Sequence, residues 1–544
     1  MKKIVLLVLL LCLMPVSLMA YGENNHYGYE EPEELSLPAN EEEKYYEYVD
    51  TEEEEHYECE YEPGPILSYE IVIHGFDWGP AVTNIILTMA EPLENVMFED
   101  FSAFFTREPR FRMVGIEEFT PFVEEVPITG WEVSLDNRIV SLYVLVHPNL
   151  GINPFTYVSP TGNNWSSPFC LTVVLQGEEL TPRRVAKTMP LTELFEIDGV
   201  FTYEGITLQY ASFTPPQAER SERPLIIWLH GGTEGSRGNT VSPESIILGN
   251  RVTRLVAPQI QQIMGGAFVL LPQSPTMWMS GTRLVGERRY ASNYEDALLQ
   301  LIDYFIENNP GIDRSRIYVG GCSNGGYMTM RLLFERPDFF AAAFPVCLLY
   351  NESWVSDEKI ESIRHIPIWF IHDINDPTAP HAQTRYLYDR LNSAGAENVH
   401  LYTTDGIFSE EFTGEDGEPL QFNYHWAWVP VLNNAVSTYV DGRNLTLFHW
   451  MAIQSTRGGA AHANEPLDMV QLRPILVRFG VEVSWDTYIR AASIQVEGET
   501  FVLPLGVPLP GGGFPEIRND HMYVPARFLA ELFGVGLDDI TENS

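Results

Sequence analysis

In Ile317-Tyr318-Val319-Gly320-Gly321-Cys322-Ser323-Asn324-Gly325-Gly326-Tyr327, a short apolar run meets a serine with glycines two residues before and two after it. The apolar residues suit a strand, and residues 327–334 suit a helix. Glycines at 321 and 325 let the chain turn sharply between the two, leaving the Ser323 hydroxyl exposed at the apex. The five-residue pattern alone occurs in ordinary turns. With a strand before and a helix behind, it reads as a nucleophile elbow with Ser323 as the nucleophile.

The flanking sequence supplies a fold for that turn. Leu225-Ile226-Ile227-Trp228-Leu229 and Phe268-Val269-Leu270-Leu271 are continuous apolar runs, as expected of strands buried on both faces of a parallel sheet. Ser292-Asn293-Tyr294-Glu295 has the form of a capping box, and Ala297, Leu298, Leu301, Ile302 and Phe305 recur on one helical face after it. Strand, helix and strand in this order predict a doubly wound, mostly parallel α/β sheet across residues 191–456.

A serine hydroxyl needs an imidazole to take its proton and a carboxylate to orient that imidazole. Downstream of Ser323, the apolar Ile368-Trp369-Phe370-Ile371 runs into His372-Asp373-Ile374-Asn375-Asp376-Pro377. Asp376 is preferred as the acid because it lies further into the loop, whereas Asp373 suits loop capping through its own backbone. His425, in Asn423-Tyr424-His425-Trp426, is the leading base. His372, His381 and His449 are read as structural from their positions. His230-Gly231-Gly232-Thr233-Glu234-Gly235 follows the 225–229 strand, where it can offer the Gly232 or Thr233 amide to an oxyanion, with Asn324 as the second donor. Glu234, Trp278 and Trp426 are candidate pocket-lining residues. No cofactor and no metal are expected.

At 544 residues the chain exceeds a single core, which stops growing at roughly 250–300 residues. Residues 1–20 have the basic, apolar and small-residue layout of a secretory signal, too short in its apolar run for a membrane span. Leu9-Leu10-Leu11-Cys12 leaves a lipid-anchored form as a lesser alternative. Residues 21–65 read as an acidic, disordered linker. Short alternating runs over residues 66–184 predict an immunoglobulin-like β-sandwich, and residues 465–544 a small α+β accessory domain. The net charge of −42 excludes nucleic acid as a partner and disfavours anionic membranes. Cysteines at 59, 170, 322 and 347 suggest neither a disulfide framework nor a zinc site, although a Cys322–Cys347 bond stays open because both should sit near the ends of neighbouring strands.

Residues 66–454 resemble bacterial esterases that join an immunoglobulin-like domain to an α/β-hydrolase domain, related to polyhydroxybutyrate-depolymerase-like and feruloyl esterases. The resemblance rests on the loop 230–235, Pro272-Gln273-Ser274-Pro275-Thr276-Met277-Trp278, the elbow, Phe340-Ala341-Ala342-Ala343-Phe344-Pro345-Val346-Cys347, and His425-Trp426. Asp376-Pro377-Thr378-Ala379-Pro380 resembles the family's acid loop, while Tyr424 replaces the glycine that the family carries before its histidine. The last 80 or so residues, with Gln471-Leu472-Arg473-Pro474 and Tyr523-Val524-Pro525-Ala526-Arg527-Phe528 in related segments, resemble the copper amine oxidase N-terminal-like domain, which here implies surface attachment and not copper. The implied activity is hydrolysis of a small or polysaccharide-linked ester, feruloyl or acetyl, by an exported enzyme. A prolyl-oligopeptidase-like peptidase is the alternative, and a binding protein that merely retains the fold is a third reading.

Overall fold

The computed structural model describes the chain from residue 66 onward, apart from residues 114–120, 150, 160–161, 183, 217–221, 239–240, 281–290, 415–416, 441–442, 458–468, 482, 487–490, 497–498, 505–514, 519–520, 536–539 and 541–544. The expected signal and acidic linker therefore lie outside the described residues, as does most of Arg457-Gly458-Gly459-Ala460, whose composition suits a linker ahead of the terminal domain.

The first strands are β1 (Ile66–Phe76), β2 (Gly79–Met89), β3 (Phe101–Arg107), β4 (Phe111–Met113), β5 (Phe122–Val126), β6 (Ile128–Val133), β7 (Ile139–Val144), β8 (Phe155–Ser159), β9 (Gly162–Trp165), β10 (Phe169–Leu175), β11 (Glu178–Leu180) and β12 (Val185–Thr188). They form one sheet in the order β12-β1-β2-β7-β6, another in the order β11-β10-β3-β5, and a small one, β4-β8-β9. The period of two explains the pairing: Tyr69, Ile71 and Ile73 of β1 share a core with Ala103 and Phe105 of β3 and Leu171 and Val173 of β10. The first sheet runs on to Thr188, four residues past the boundary expected at 184, because β12 pairs in parallel with β1. Cys170 on β10 is disulfide-bonded, although the number and spacing of the cysteines suggested no disulfide framework.

The central sheet contains β13 (Glu196–Tyr203), β14 (Ile206–Phe213), β15 (Arg223–Leu229), β16 (Phe268–Gln273), β17 (Ile312–Cys322), β18 (Ala342–Val346), β19 (Ile368–Asp373) and β20 (Val399–Thr404), ordered β13-β14-β16-β15-β17-β18-β19-β20. The pairs from β16 to β20 are parallel, and β13 and β14 join as antiparallel strands. The helices are α1 (Glu244–Gly249), α2 (Pro258–Ile263), α3 (Glu295–Asn308), α4 (Asn324–Glu335), α5 (Asp357–Ile363), α6 (His381–Ser393), α7 (Trp428–Leu432) and α8 (Leu447–Ala452). Alternation along β15 shows why both sheet faces must be covered. Ile226 and Trp228 pack with α1, α2, α7 and α8, whereas Leu225, Ile227 and Leu229 pack with α3, α4, α5 and α6.

Two local expectations are corrected. The Ser292-to-Glu295 sequence does not form a capping box: Ser292 Oγ accepts from the Tyr294 amide, and the buried Glu295 carboxylate receives the Arg331 guanidinium at 2.6 and 3.0 Å. Over residues 445–454, where the apolar spacing in the sequence suits one continuous final helix, the chain instead forms the shorter α8, preceded by a hairpin of Ser437–Val440 and Arg443–Thr446.

Beyond residue 468, Met469–Gln471 leads into the helix Leu472–Arg478, and His521–Pro525 leads into the helix Ala526–Phe533. The two strands pair antiparallel, the helices end at Gly480 and Gly534 with φ of 68° and 63°, and Phe479 stacks on Phe533 at 4.2 Å. The similarity of the two sequence segments is thus a repeat of one strand–helix unit around a common core.

Candidate active site

The central strands end at one edge of the sheet, and the loops leaving β15, β17, β19 and β20 carry the candidate residues, as expected of an open α/β sheet. Ser323 follows β17 at φ 54° and ψ −111°, a conformation costly for a residue with a Cβ. The elbow is held by the Ser323 N–H, which donates to the Val346 carbonyl at 2.9 Å, and by Tyr327 N–H on the Ser323 carbonyl at 3.1 Å. The flanking glycines are dictated by space. A Cβ at 321 would lie 2.4 Å from the Leu229 carbonyl oxygen, and one at 325 only 1.9 Å from it. This brings the loop after β15 against the start of α4.

Asn324 is the first residue of α4, so its amide has no acceptor within the helix. Gly232 lies beside it: a Cβ at 232 would be 4.0 Å from Asn324 Cβ and 3.4 Å from Met277 Sδ. The two groups named as oxyanion donors are therefore neighbours. His230 at the root of the loop is a strut. Its Nε2 accepts from the Ser274 amide at 3.1 Å, which leaves Nδ1–H to donate to the Gly231 carbonyl at 2.6 Å. Burial outweighs that bond and lowers its pKa to about 4, keeping the ring neutral.

Asp376 and His425 meet directly, His425 Nδ1 lying 2.7 Å from Asp376 Oδ2. The Asp376 carboxyl is buried and accepts on Oδ1 from the amides of Thr378 at 2.8 Å and Ala379 at 3.0 Å. Burial pushes its pKa up, but hydrogen bonds from His372, His425 and the Ala379 amide prevail and hold it well below the usual carboxylate range. Asp373 plays the other part: Oδ2 takes Thr404 Oγ1 at 2.7 Å and the Gly406 amide at 2.6 Å, and Oδ1 takes the Asn375 amide at 2.8 Å. The His425 loop closes on the Asn423 side chain, which accepts from the His425 amide at 2.9 Å. Tyr424 does not adopt a positive φ, so this loop has no need of the family's glycine.

Other candidates are displaced. Trp278 is fully buried and packs on His230 at 4.9 Å, and Glu234 is 3% exposed, so neither presents a face to solvent as a pocket-lining residue would. Glu234 Oε1 instead accepts from Thr233 Oγ1 at 3.0 Å and Asn250 Nδ2 at 3.2 Å, and burial raises its pKa. Trp426 stays half-buried, in contact with Phe422 and Trp428. Cys322 and Cys347 end neighbouring strands as expected, yet both are buried free thiols, so the bond left open at that position is absent. His372 lies 3.2 Å from Asp376 Oδ2 and bonds to Thr384 and the Ala379 carbonyl. Its position before the acid pointed to a structural part, and nothing in the sequence signalled its approach to the carboxylate. His381 opens α6 with its ring 5.6 Å from that of His372, and His449 in α8 bonds Thr446 at 2.7 Å. Among the described residues no group of His, Cys, Asp and Glu side chains could hold a metal ion, and no helix is long and apolar enough to cross a membrane.

Residues 283–404 match the Prolyl oligopeptidase family, Peptidase_S9. Among solved structures, a thermostable esterase is similar at 21% identity and a TM-score of 0.54, over 71% of this chain and 99% of its own. The acylaminoacyl peptidase of Pyrococcus horikoshii is similar over 59% of this chain and 50% of its own, at 14% identity and a TM-score of 0.31. Est1E from Butyrivibrio proteoclasticus is similar over 38% of this chain and 88% of its own, at 16% identity and a TM-score of 0.27. No curated protein matches the chain. The fold is that of an α/β-hydrolase, and the chain is a serine hydrolase.

Proposed function

We propose that the protein is an exported carboxylic ester hydrolase in which Ser323, His425 and Asp376 act as a triad. The observation that carries this reading is the 2.7 Å contact between His425 Nδ1 and the buried Asp376 carboxylate, at the same edge of the parallel sheet as the strained Ser323 turn. That contact fixes the proton on Nδ1 and leaves Nε2 as the base. Ser323 Oγ attacks the ester carbonyl carbon while its proton passes to Nε2. The oxyanion is met by the amides of Gly232 or Thr233 and of Asn324. Collapse expels the alcohol, which takes the proton from His425 and leaves an acyl-enzyme. Water then repeats the sequence, releasing the acid and restoring Ser323.

Export is supported by the layout of residues 1–20 and by the disulfide at Cys170, a bond that persists in oxidising compartments. We read residues 66–188 as the immunoglobulin-like domain, and the repeated strand–helix unit after residue 468 as the copper amine oxidase N-terminal-like module, serving cell-surface attachment. Feruloyl or acetyl esters on polysaccharide suit an open site with Trp426 beside the base. The Peptidase_S9 match favours the alternative, a peptidase of the prolyl-oligopeptidase kind. Against it, those relatives screen their sites with a β-propeller, and residues 66–188 hold sheets with a shared sandwich-like core instead.

The test is a fluorophosphonate probe on the purified chain, followed by kcat/KM on feruloyl, acetyl and short acyl esters and on prolyl and other aminoacyl amides. Labelling at Ser323, lost with turnover in Ser323→Ala, and a wide ester preference are expected. Labelling of another serine sinks the triad, and efficient amide cleavage with negligible esterase activity decides for the peptidase.

A further inference from the structure

The 230–235 loop is gripped from outside the catalytic sheet. The hairpin of β8 and β9, which belongs to the N-terminal sheets and carries no catalytic side chain, reaches it with its backbone: the Asn163 N–H donates to the Thr233 carbonyl at 3.3 Å. Gly162 makes that approach possible for two separate reasons. Its φ is 110°, which L side chains rarely adopt, and a Cβ there would lie 1.8 Å from the Thr233 oxygen and 2.6 Å from its carbon. No rotation of a neighbouring side chain can relieve a clash with backbone atoms.

The rest of the hairpin is fixed to the same region. Trp165 Nε1 donates to Glu244 Oε2 at 3.0 Å, tying β9 to α1, and Lys187 Nζ lies 4.6 Å over the Trp165 ring. On the other side of the loop, a Cβ at Gly235 would lie 1.7 Å from the Thr276 carbonyl oxygen. The loop is thus held at Thr233 by a hairpin of the N-terminal sheets and at Gly235 by the segment after β16. The Thr233 carbonyl and the Thr233 N–H belong to successive peptide planes joined at one Cα, so a displacement of the first passes to the second through only the φ and ψ of Thr233.

We propose that the Gly162-Asn163 backbone positions the oxyanion donor at Gly232–Thr233, making the hairpin a positioning element of the reaction. Neither residue touches the reacting atoms; both act through Thr233. The inference rests on the oxyanion role given to that loop above, and it assigns the N-terminal sheets a part in catalysis beyond packing. Because the hole binds charge that develops only in the transition state, a misplaced donor lowers kcat and leaves ground-state binding alone.

The test uses the full chain and a small soluble ester, with an aryl boronic acid as the transition-state mimic. Gly162→Ala is expected to lower kcat about 10²-fold, near the effect of losing one oxyanion donor. KM should stay within about twofold, and affinity for the boronic acid should fall in step with kcat. Should Gly162→Ala fail to fold, replacing residue 163 by its α-hydroxy acid removes only the N–H, and a loss of up to about tenfold in kcat and in boronate affinity together is expected, that of one hydrogen bond. The proposal is overturned if neither change alters kcat, or if kcat falls while boronate affinity holds. Failure of the triad reading is separate, since it shows in the unmodified protein as no probe labelling at Ser323.

Discussion

Replacing Asp376 by Asn tests the site at the point where the structure is most specific. Two backbone amides, of Thr378 and Ala379, point at Asp376 Oδ1 at 2.8 and 3.0 Å. An asparagine must offer them its carbonyl oxygen, because its NH2 group would face two donors with no acceptor. The amide is thereby oriented with NH2 toward His425 Nδ1, the position now 2.7 Å from Oδ2. His425 must then accept at Nδ1 and carry its proton on Nε2, where it cannot receive one from Ser323. Geometry survives and the tautomer is wrong. Losses of about 10⁴-fold in kcat accompany such a change, about 5.4 kcal/mol of barrier.

The assay is kcat/KM on a soluble ester for Asp376→Asn beside Asp373→Asn, whose carboxylate serves Thr404, Gly406 and Asn375 instead. Asp373→Asn should cost stability far more than turnover. Thermal melts add a second readout with a definite sign. The folded pKa of Asp376 is depressed, so its ionised form contributes stability above the ordinary carboxylate pKa of about 3.9, lost as pH falls further. The deficit of Asp376→Asn should therefore be largest near neutrality and shrink in acid. Equal losses of turnover in the two variants would refute the reasoning and return the acid to Asp373.

Burial lowers the folded pKa of His230 to about 4, so the unfolded chain takes up a proton first as pH falls below about 6.5. Stability should drop by about 3 kcal/mol between those two values and level off below, and melts of His230→Gln should lack that part of the acid limb; an unchanged limb would assign it to other groups. Arg331→Met leaves Glu295 buried without its guanidinium and should cost about 3–5 kcal/mol in denaturant titration, whereas a loss below about 1 kcal/mol would mean the site relaxes to admit water. A chain ending at Arg457 should keep its kcat/KM on a small ester, because every candidate catalytic residue lies upstream and α8 is retained whole. An inactive but folded truncation would place part of the site in the terminal domain.

The sequence was readable where a contact is local or periodic. The unbroken apolar run at residues 225–229 announced a strand covered on both faces, and the elbow announced itself because strand, turn and helix are contiguous. Choosing Asp376 over Asp373 needed only the depth of each residue in its loop, and the structure sets Asp376 on His425 while Asp373 caps. Where a partner lies far along the chain, local pattern misled. Ser292 and Glu295 have capping-box spacing, yet the buried Glu295 carboxylate is claimed by the Arg331 guanidinium, 36 residues on, whose charge it must neutralise. Trp278 and Glu234 sit beside motifs and looked available to a substrate; only the packed structure shows His230 and Asn250 already occupying them.

The same distinction runs through the proposed catalytic centre. Gly321 and Gly325 touch the Leu229 carbonyl and are legible because they frame a serine in five consecutive residues. Gly162 makes an equally close approach to Thr233, but its partner is 71 residues away and on a separate sheet, so in sequence it is one more turn glycine. A motif records what the nucleophile needs from its own strand and helix. It is silent about what holds the proposed opposing donor, since the contact at Gly162 is backbone against backbone and requires of the sequence only that no side chain intervene. Substituting such a glycine should therefore damage catalysis while leaving every recognisable motif residue in place.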